Sequence, residues 1–229
     1  MRPLFLTVGL VLVGTLVQAA APDEPKPTVT GVIVDKDKRT VTISAKVAPR
    51  KLANLEMVYP LELVAGWGAP KGKKAHEIIV AIDFNPSEVH KGLEALGLKP
   101  GKPAKGENAK AEGPVVNVFF EVTGADGIAK RLTLDKVLID PKSKKPAPKV
   151  SFRFTGSVMS AYDPNKPDDK KYGADLTGTL IALFPVTDEC VLQTDWTMKE
   201  EKYLKLDVNP DVLPKEGGAI KLVLEAPKP

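Results

Sequence analysis

Residues 76–101, HEIIVAIDFNPSEVHKGLEALGLKPG, contain the two patterns that decide the fold. The run Ile78–Ile82 has five consecutive apolar residues, which is too many for a strand with one face in water, so it predicts a central strand. Helix signals follow at once, with Asn85 as N-cap, a proline in the first turn and Gly97 as the C-terminal stop. We therefore predict one helix at about 86–97, packed across a sheet.

Short runs of alternating hydrophobicity fill most of the remaining chain. Residues 29–34 and 41–47 flank DKDKR and predict a hairpin with one buried face. The apolar positions of 128–139 change parity midway, which predicts a bulge near Asp135 and Lys136. Further strands are predicted at 57–64, 115–122, 152–158, 180–184, 203–208 and 219–224.

About ten short strands and one helix predict a mainly β fold. The expected forms are a β-sandwich or strongly curved antiparallel sheets carrying the helix, with an α+β arrangement as the alternative. The expected divisions of the chain are a signal peptide (1–21), an extended leader (22–27), an N-terminal β-rich part with the helix (28–140), a linker loop (141–149) and a C-terminal β-rich part (150–229). The two β-rich parts are expected to pack together as one domain.

The N-terminal segment predicts export. Arg2 precedes the apolar run of residues 4–17, and small residues follow it at Ala19 to Ala21. Fourteen helical residues span about 21 Å, less than the hydrocarbon core of about 30 Å, so cleavage is favoured over a permanent membrane helix. We expect a mature chain without an integral membrane segment that is periplasmic or secreted.

Composition excludes several classes of protein and partner. The 229 residues are 43% hydrophobic and 27% charged, and they contain neither a glycine period nor a sustained heptad, which excludes collagen and coiled coils. The net charge is only +4, and five of the 33 basic residues are Arg. Because nucleic-acid sites favour Arg and aromatic platforms, no nucleic-acid partner is expected. A protein or a polysaccharide is the expected partner.

The chain has a single cysteine, Cys190. One cysteine cannot form an intramolecular disulfide or hold an iron–sulfur cluster. Its acidic neighbours Asp188 and Glu189 would raise the thiol pKa, so we predict a buried, unreactive thiol.

The sequence resembles the YdjY-like domain family of exported bacterial proteins over roughly residues 50–226. KAHEIIV running into NPSEVHKGLEALGLKPG carries the resemblance, and FTGS at 154–157 is a second anchor, followed by YGADLTGTLIALF and GGAIKLVLEAP. The resemblance implies an exported domain, and it bears on location and fold rather than on an activity. A ferredoxin-like label that some relatives carry does not transfer, because Cys190 alone cannot hold a cluster.

His76 and Glu77 adjoin the central strand and are candidate ligand-binding residues, because polar side chains at strand ends can project beyond a core. Neighbours in an extended strand point to opposite faces, so one loop mouth would not easily use both. The structural alternative has His76 bonded to a loop carbonyl and Glu77 paired with a lysine. His90, the other histidine, could face the sheet or solvent.

Trp67, in the loop sequence GWGAPKGKK, is the third candidate ligand-binding residue. A flat ring suits a sugar-like or peptide ligand, and Trp196 is considered on the same ground. Core packing also explains both tryptophans and is the favoured interpretation.

Metal and catalytic motifs are not found. HEIIV differs from the zinc motif HExxH because Val80 occupies the second histidine position, and the acidic loop at 163–169 lacks the glycine and terminal glutamate of an EF-hand. TGSVM around Ser157 is not G-x-S-x-G. No catalytic residue, metal or cofactor is predicted.

These patterns favour an exported, non-enzymatic binding or envelope-assembly module. The alternative is an extracytoplasmic enzyme or metal-dependent protein centred on His76 and Glu77.

Overall fold

A computed structural model describes residues 31–124 and 127–228. The predicted signal peptide and leader lie outside the described residues. The helices are α1 Pro86–Ala95, α2 Leu134–Val137, α3 Gly173–Thr177 and α4 Met198–Tyr203. The strands are β1 Val32–Asp35, β2 Thr40–Val47, β3 Leu63–Trp67, β4 Ile78–Ile82, β5 Val115–Thr123, β6 Ala129–Leu132, β7 Leu138–Ile139, β8 Phe152–Phe154, β9 Met159–Ala161, β10 Lys170–Tyr172, β11 Thr179–Ala182, β12 Leu192–Thr194, β13 Asp207–Val208 and β14 Ala219–Glu225.

Eight of these strands close into a barrel, so the prediction of a mainly β fold is confirmed. The order around the ring is β2, β14, β5, β8, β12, β11, β3 and β4, and β4 pairs again with β2. The pairs β3–β4 and β11–β12 are parallel, whereas the other ring pairings are antiparallel. Of the two expected β forms, the strongly curved sheet is the one observed. It curves so far that its first and last ring strands pair and the barrel closes.

β14 pairs with β2 on one side and with β5 on the other. Along its other edge, each of these two strands pairs with two different strands, so the sheet forks there. The first half of β2 pairs with β1, while its last two residues, Lys46 and Val47, pair with β4. In the same way β5 pairs with β8 at its start and with β6 at its end. Each fork leaves a cleft where the two neighbouring strands diverge.

The core lies inside the ring, where alternate residues of the antiparallel strands meet. On β2 the side chains of Val41, Ile43 and Val47 are buried, whereas Ser44 and Lys46 are exposed, as the alternation predicts. β4 lies between β3 and β2 and is buried on both faces over most of its length, which confirms the central strand.

Helix α1 occupies the predicted position and packs on β1 and β2. The Glu88 carboxylate accepts a hydrogen bond from the Asn85 amide at 3.3 Å, and Val89 and Leu93 are fully buried. Gly97 follows the helix with φ +85°, a conformation that glycine adopts without strain. Among the residues that the structure describes, no helix is long and apolar enough to cross a membrane.

Three local predictions were wrong. The strand expected at 203–208 is present only as β13, Asp207–Val208, because Tyr203 ends helix α4. The bulge expected near Asp135 and Lys136 is the short helix α2, and the change in apolar parity arises because Leu134 and Val137 share one face of that helical turn. The strand expected at 57–64 is instead β3, Leu63–Trp67. The preceding backbone is held by other contacts, since the Tyr59 carbonyl accepts a hydrogen bond from the Arg50 side chain at 2.9 Å.

Candidate functional site

The three residues proposed from the sequence lie between the end of β3 and the start of β4, yet the structure separates them. Because β3 and β4 are parallel, the loop must run back along the full length of the strand pair. Trp67 lies opposite Ile82, whereas His76 and Glu77 come just before Ile78, which lies opposite Leu63. Four residues of strand correspond to about 13 Å, so Trp67 belongs to one end of the pair and His76 with Glu77 to the other.

The Trp67 ring is held in one orientation by contacts on three sides. Its indole N–H donates a hydrogen bond of 2.7 Å to the Phe84 carbonyl. One face of the ring packs directly on Gly178, where an added Cβ would overlap the ring. Over the ring lies the Lys71 ammonium, 3.3 Å from the ring centroid. The half-buried ring therefore lies between Gly178 and the exposed side chain of Lys71.

Beside this ring is a cleft of about 440 Å³ at the fork between β1 and β4. Its volume lies within the range typical of ligand sites. We call it the Trp67 cleft, and the residues that define it are Trp67, Lys46, Lys71, Asp83, Ala45, Ala81 and Ala219. Ala81 and Ala219 pair with Lys46 on its two sides, so the small residues of the cleft flank this cation on the outward face of the sheet.

The charges that border the Trp67 cleft are two ammonium groups and one carboxylate. Lys46 and Lys71 are exposed, and neither takes part in an ion pair among the described residues. Asp83 follows β4 and is also exposed. The cleft therefore presents an aromatic ring, two cations, one carboxylate and the Ser44 hydroxyl.

His76 and Glu77 lie in a charged cluster at the opposite end of β3 and β4, which we call the Lys74 network. The Lys74 ammonium binds the Glu62 carboxylate and lies 2.7 Å from a carboxylate oxygen of Glu77. His76 Nε2 is 3.2 Å from the other oxygen of Glu77. The expectation that His76 and Glu77 point to opposite faces was wrong, because these residues lie in a turn before β4 begins.

Burial and charge shift two pKa values in the Lys74 network. Burial raises the pKa of Glu62, and the nearby Glu77 carboxylate adds to the effect although Lys74 opposes it. For Lys74, burial acts to lower the pKa, but the hydrogen bonds to Glu62 and Glu77 outweigh it and the pKa is raised. The ammonium form of Lys74 is therefore the stable one between two carboxylates.

Arg50 ties the Lys74 network to its surroundings. Its guanidinium donates to the carbonyls of Tyr59, at 2.9 Å, and His76, at 3.4 Å, and to the Asp207 carboxylate, at 2.6 Å. The Tyr59 ring meets the His76 ring edge to face, with centroids 4.7 Å apart. The polar groups of this end of the molecule thus satisfy one another, which is typical of a structural network.

His90, whose orientation the sequence left open, faces the interior between α1 and β10. Its Nδ1 lies 2.7 Å from the Tyr172 hydroxyl and its Nε2 lies 3.4 Å from a carboxylate oxygen of Glu94. The Tyr172 hydroxyl also accepts a hydrogen bond from the Ser157 amide at 3.2 Å, and burial raises the pKa of Tyr172. The spacing of His90 and Glu94 is a recognisable helical pair, but nothing in the sequence points to Tyr172.

The other residues considered from the sequence are parts of the core or of the surface. Cys190 is fully buried, as predicted, and burial, with Asp188, raises the pKa of its thiol. Trp196 is 8% exposed and stacks on Phe184. Within residues 31–124 and 127–228, no three His, Cys, Asp or Glu side chains are grouped so that they could hold a metal ion.

The fold and its clefts define a class: a closed β-barrel domain with one packed helix and surface clefts at the forks of its sheet. The chain belongs to the YdjY domain family, whose model matches residues 32–225. The family expected from residues 76–101 and the FTGS anchor is thereby confirmed. No curated protein and no solved structure matches the chain.

Proposed function

We propose that the protein is an exported, non-enzymatic binding domain and that its ligand site is the Trp67 cleft. The observation that carries the proposal is the Trp67 ring, fixed by Phe84 and Gly178 at the edge of a cleft of ligand size. Export is supported by Arg2 and the apolar run of residues 4–17 that ends in small residues.

A polysaccharide is the ligand that the cleft supports best. The apolar face of a sugar ring stacks on a flat indole, and a rigid ring loses little conformational entropy on binding. The small side chains of Ala81 and Ala219, on the outward face of the sheet, leave room for a ligand beside the ring. Lys46, Lys71 and Asp83 at the rim supply donors and an acceptor for hydroxyl groups.

The test is retention by the polysaccharide fraction of the exporting cell. The mature protein should be retained, and Trp67→Phe, which keeps an apolar ring over Gly178 but removes the indole N–H and area, should lose at least about tenfold in affinity. Trp196→Phe is the matched control, because that ring is stacked in the core, and it should bind as the wild type does. Equal retention of the two variants would refute the assignment of the cleft.

Export has its own measurement. The mass of the protein recovered outside the cytoplasm should correspond to a chain that begins just after Ala19, Ala20 or Ala21. A chain that keeps Met1 and the apolar run in that fraction would contradict cleavage.

An extracytoplasmic enzyme centred on His76 and Glu77 is the second candidate. One observation favours it: a carboxyl group with a raised pKa, Glu62, lies in the same cluster as a histidine, and shifted pKa values are frequent at catalytic sites. His76→Ala would then abolish an activity or a bound ligand mass while leaving the melting temperature nearly unchanged. A large loss of stability in that variant would assign His76 a packing role.

A further inference from the structure

We infer that the ligand of the Trp67 cleft is an acidic polysaccharide, and that Lys71 leaves the Trp67 ring to bind a carboxylate of that ligand. The inference rests on the proposed binding function and deepens it by naming the ligand class and the residues that select it.

Lys71 is the first step of the argument. Its ammonium lies 3.3 Å from the centroid of Trp67, so it covers the ring face that a sugar would need for stacking. A neutral sugar would have to displace this cation and would give it no partner of opposite charge. An acidic sugar displaces it and supplies a carboxylate at the same time, so the exchange is favoured for the acidic ligand.

The second step is charge complementarity across the cleft. Lys46, on the outward face of β2, borders the same cleft as Lys71, and both ammonium groups lack an ion-pair partner within the described part of the chain. Two cations spaced across a cleft can bind carboxylates on different sugar units, whereas the single carboxylate, Asp83, can accept a bond from a hydroxyl group. The cleft therefore has a net positive charge, and it also offers a hydrogen-bond acceptor and an aromatic ring to a sugar.

The third step is that the fluorescence of Trp67 can detect a ligand bound in the Trp67 cleft. The chain has two tryptophans, so in a Trp196→Phe background the tryptophan emission comes from Trp67 alone. The indole is fixed by its bond to Phe84, and movement of Lys71 off the ring changes its surroundings directly. Quenching or a spectral shift therefore measures binding at the proposed position rather than elsewhere on the surface.

The experiment titrates this background with three probes: tetragalacturonate, its fully methyl-esterified form, and hexaglutamate as an acidic peptide. Tetragalacturonate should change Trp67 emission saturably and bind about tenfold or more tightly than its neutral ester. Lys71→Gln and Lys46→Gln should each weaken tetragalacturonate binding about tenfold, and salt should weaken it further. Lys71→Gln should not weaken binding of the ester, since it uncovers the ring.

The matched control is Lys73→Gln, which removes an exposed charge from the same loop outside the cleft lining. It should change the affinity for tetragalacturonate by less than about twofold. An equal loss from Lys73→Gln, or equally tight binding of hexaglutamate, would overturn the inference in favour of general attraction of anions. Equal, Trp67-dependent binding of acid and ester would overturn the acidic ligand but leave the proposed binding function standing. If no probe alters Trp67 emission, the inference is wrong, and the retention of Trp67→Phe decides the proposed function separately.

Discussion

Replacing Gly178 by alanine should destabilise the protein far more than one methyl group normally does. Gly178 ends α3 with φ +75°, and its Cα supports one face of Trp67. An added Cβ would overlap ring atoms of the indole, which is itself fixed by the 2.7 Å bond to Phe84. The ring must therefore move, and its hydrogen bond must weaken or break.

The cost has three parts. Alanine in the left-handed conformation costs about 1 kcal/mol. Loss of the Trp67 hydrogen bond to a partly buried carbonyl costs about 1 kcal/mol more. Partial exposure of the displaced indole adds roughly 1–2 kcal/mol. The free energy of unfolding should fall by about 3–4 kcal/mol.

Gly97→Ala is the matched control for the backbone part. Gly97 follows α1 with φ +85°, its amide donates to a carbonyl of the helix as that of Gly178 does, and nothing lies within 4 Å of an added Cβ. This variant should lose only about 1 kcal/mol. The difference of about 2–3 kcal/mol between the two variants then measures the cost of displacing Trp67.

Urea unfolding in a Trp196→Phe background gives both stabilities and the emission of Trp67 in one experiment. Gly178→Ala should shift the native emission, and Gly97→Ala should leave it unchanged. Combining Gly178→Ala with Trp67→Ala should cost less than the sum of the single changes by at least about 1 kcal/mol, because the overlap is gone. Circular dichroism follows the unfolding of the Trp67→Ala variants, which have no tryptophan in this background. Equal costs for the two glycine variants, or unchanged Trp67 emission in Gly178→Ala, would refute the proposed packing.

Three further outcomes follow from the charged and buried groups. Arg50→Met should lower the free energy of unfolding, measured in urea, by about 2–3 kcal/mol, because three acceptors lose their donor. A loss below about 0.5 kcal/mol would contradict a stabilising role for these three hydrogen bonds. Lys74→Met leaves the Glu62 and Glu77 carboxylates without their cation. Because burial raises the pKa of Glu62 above its usual value, the folded state binds this proton more tightly than the unfolded state does. Stability therefore falls as pH rises through that pKa. The deficit of this variant relative to wild type should therefore be about 1–2 kcal/mol larger at pH 8 than at pH 5, discounted for partial exposure, and a deficit independent of pH would argue against the coupling. The Cys190 thiol, whose pKa is raised by burial, should react with a disulfide reagent only after unfolding, and rapid labelling of the native protein would contradict its burial.

The elements that could be predicted from the sequence are those that local patterns specify. β4 is a continuous apolar run, and α1 has a cap, a first-turn proline and a terminal glycine within thirteen residues, 85–97. Closure of the barrel is different, because it depends on pairings such as Lys46 with Ala81 and Leu222 with Ile43. No pattern in one sequence identifies such partners, so curvature could be predicted but closure could not.

Some residues of the candidate site could likewise be predicted from the sequence, and others could not. Trp67 could be named from the sequence as a ring beside glycines, and Lys71 lies only four residues further on. Gly178, which supports the ring, is more than a hundred residues away and becomes visible only in the fold. Glu62 was missed for the same reason, since its contact with Lys74 exists because the loop runs back along β3.

The segments that carry the family resemblance meet one another and also reach the Trp67 cleft, since Gly178 belongs to YGADLTGTLIALF and Ala219 to GGAIKLVLEAP. His90 comes from NPSEVHKGLEALGLKPG, Ser157 from FTGS and Tyr172 from YGADLTGT, and their hydrogen bonds join α1 to the start of α3. A Cβ at Gly156 would press on Pro100 and His90, so this junction also depends on close packing. These segments therefore determine the fold. At the Trp67 cleft the exposed Lys46 lies outside these segments, and its side chain can change without altering the core inside the ring. The proposed ligand specificity can therefore vary at this position while the barrel keeps its architecture.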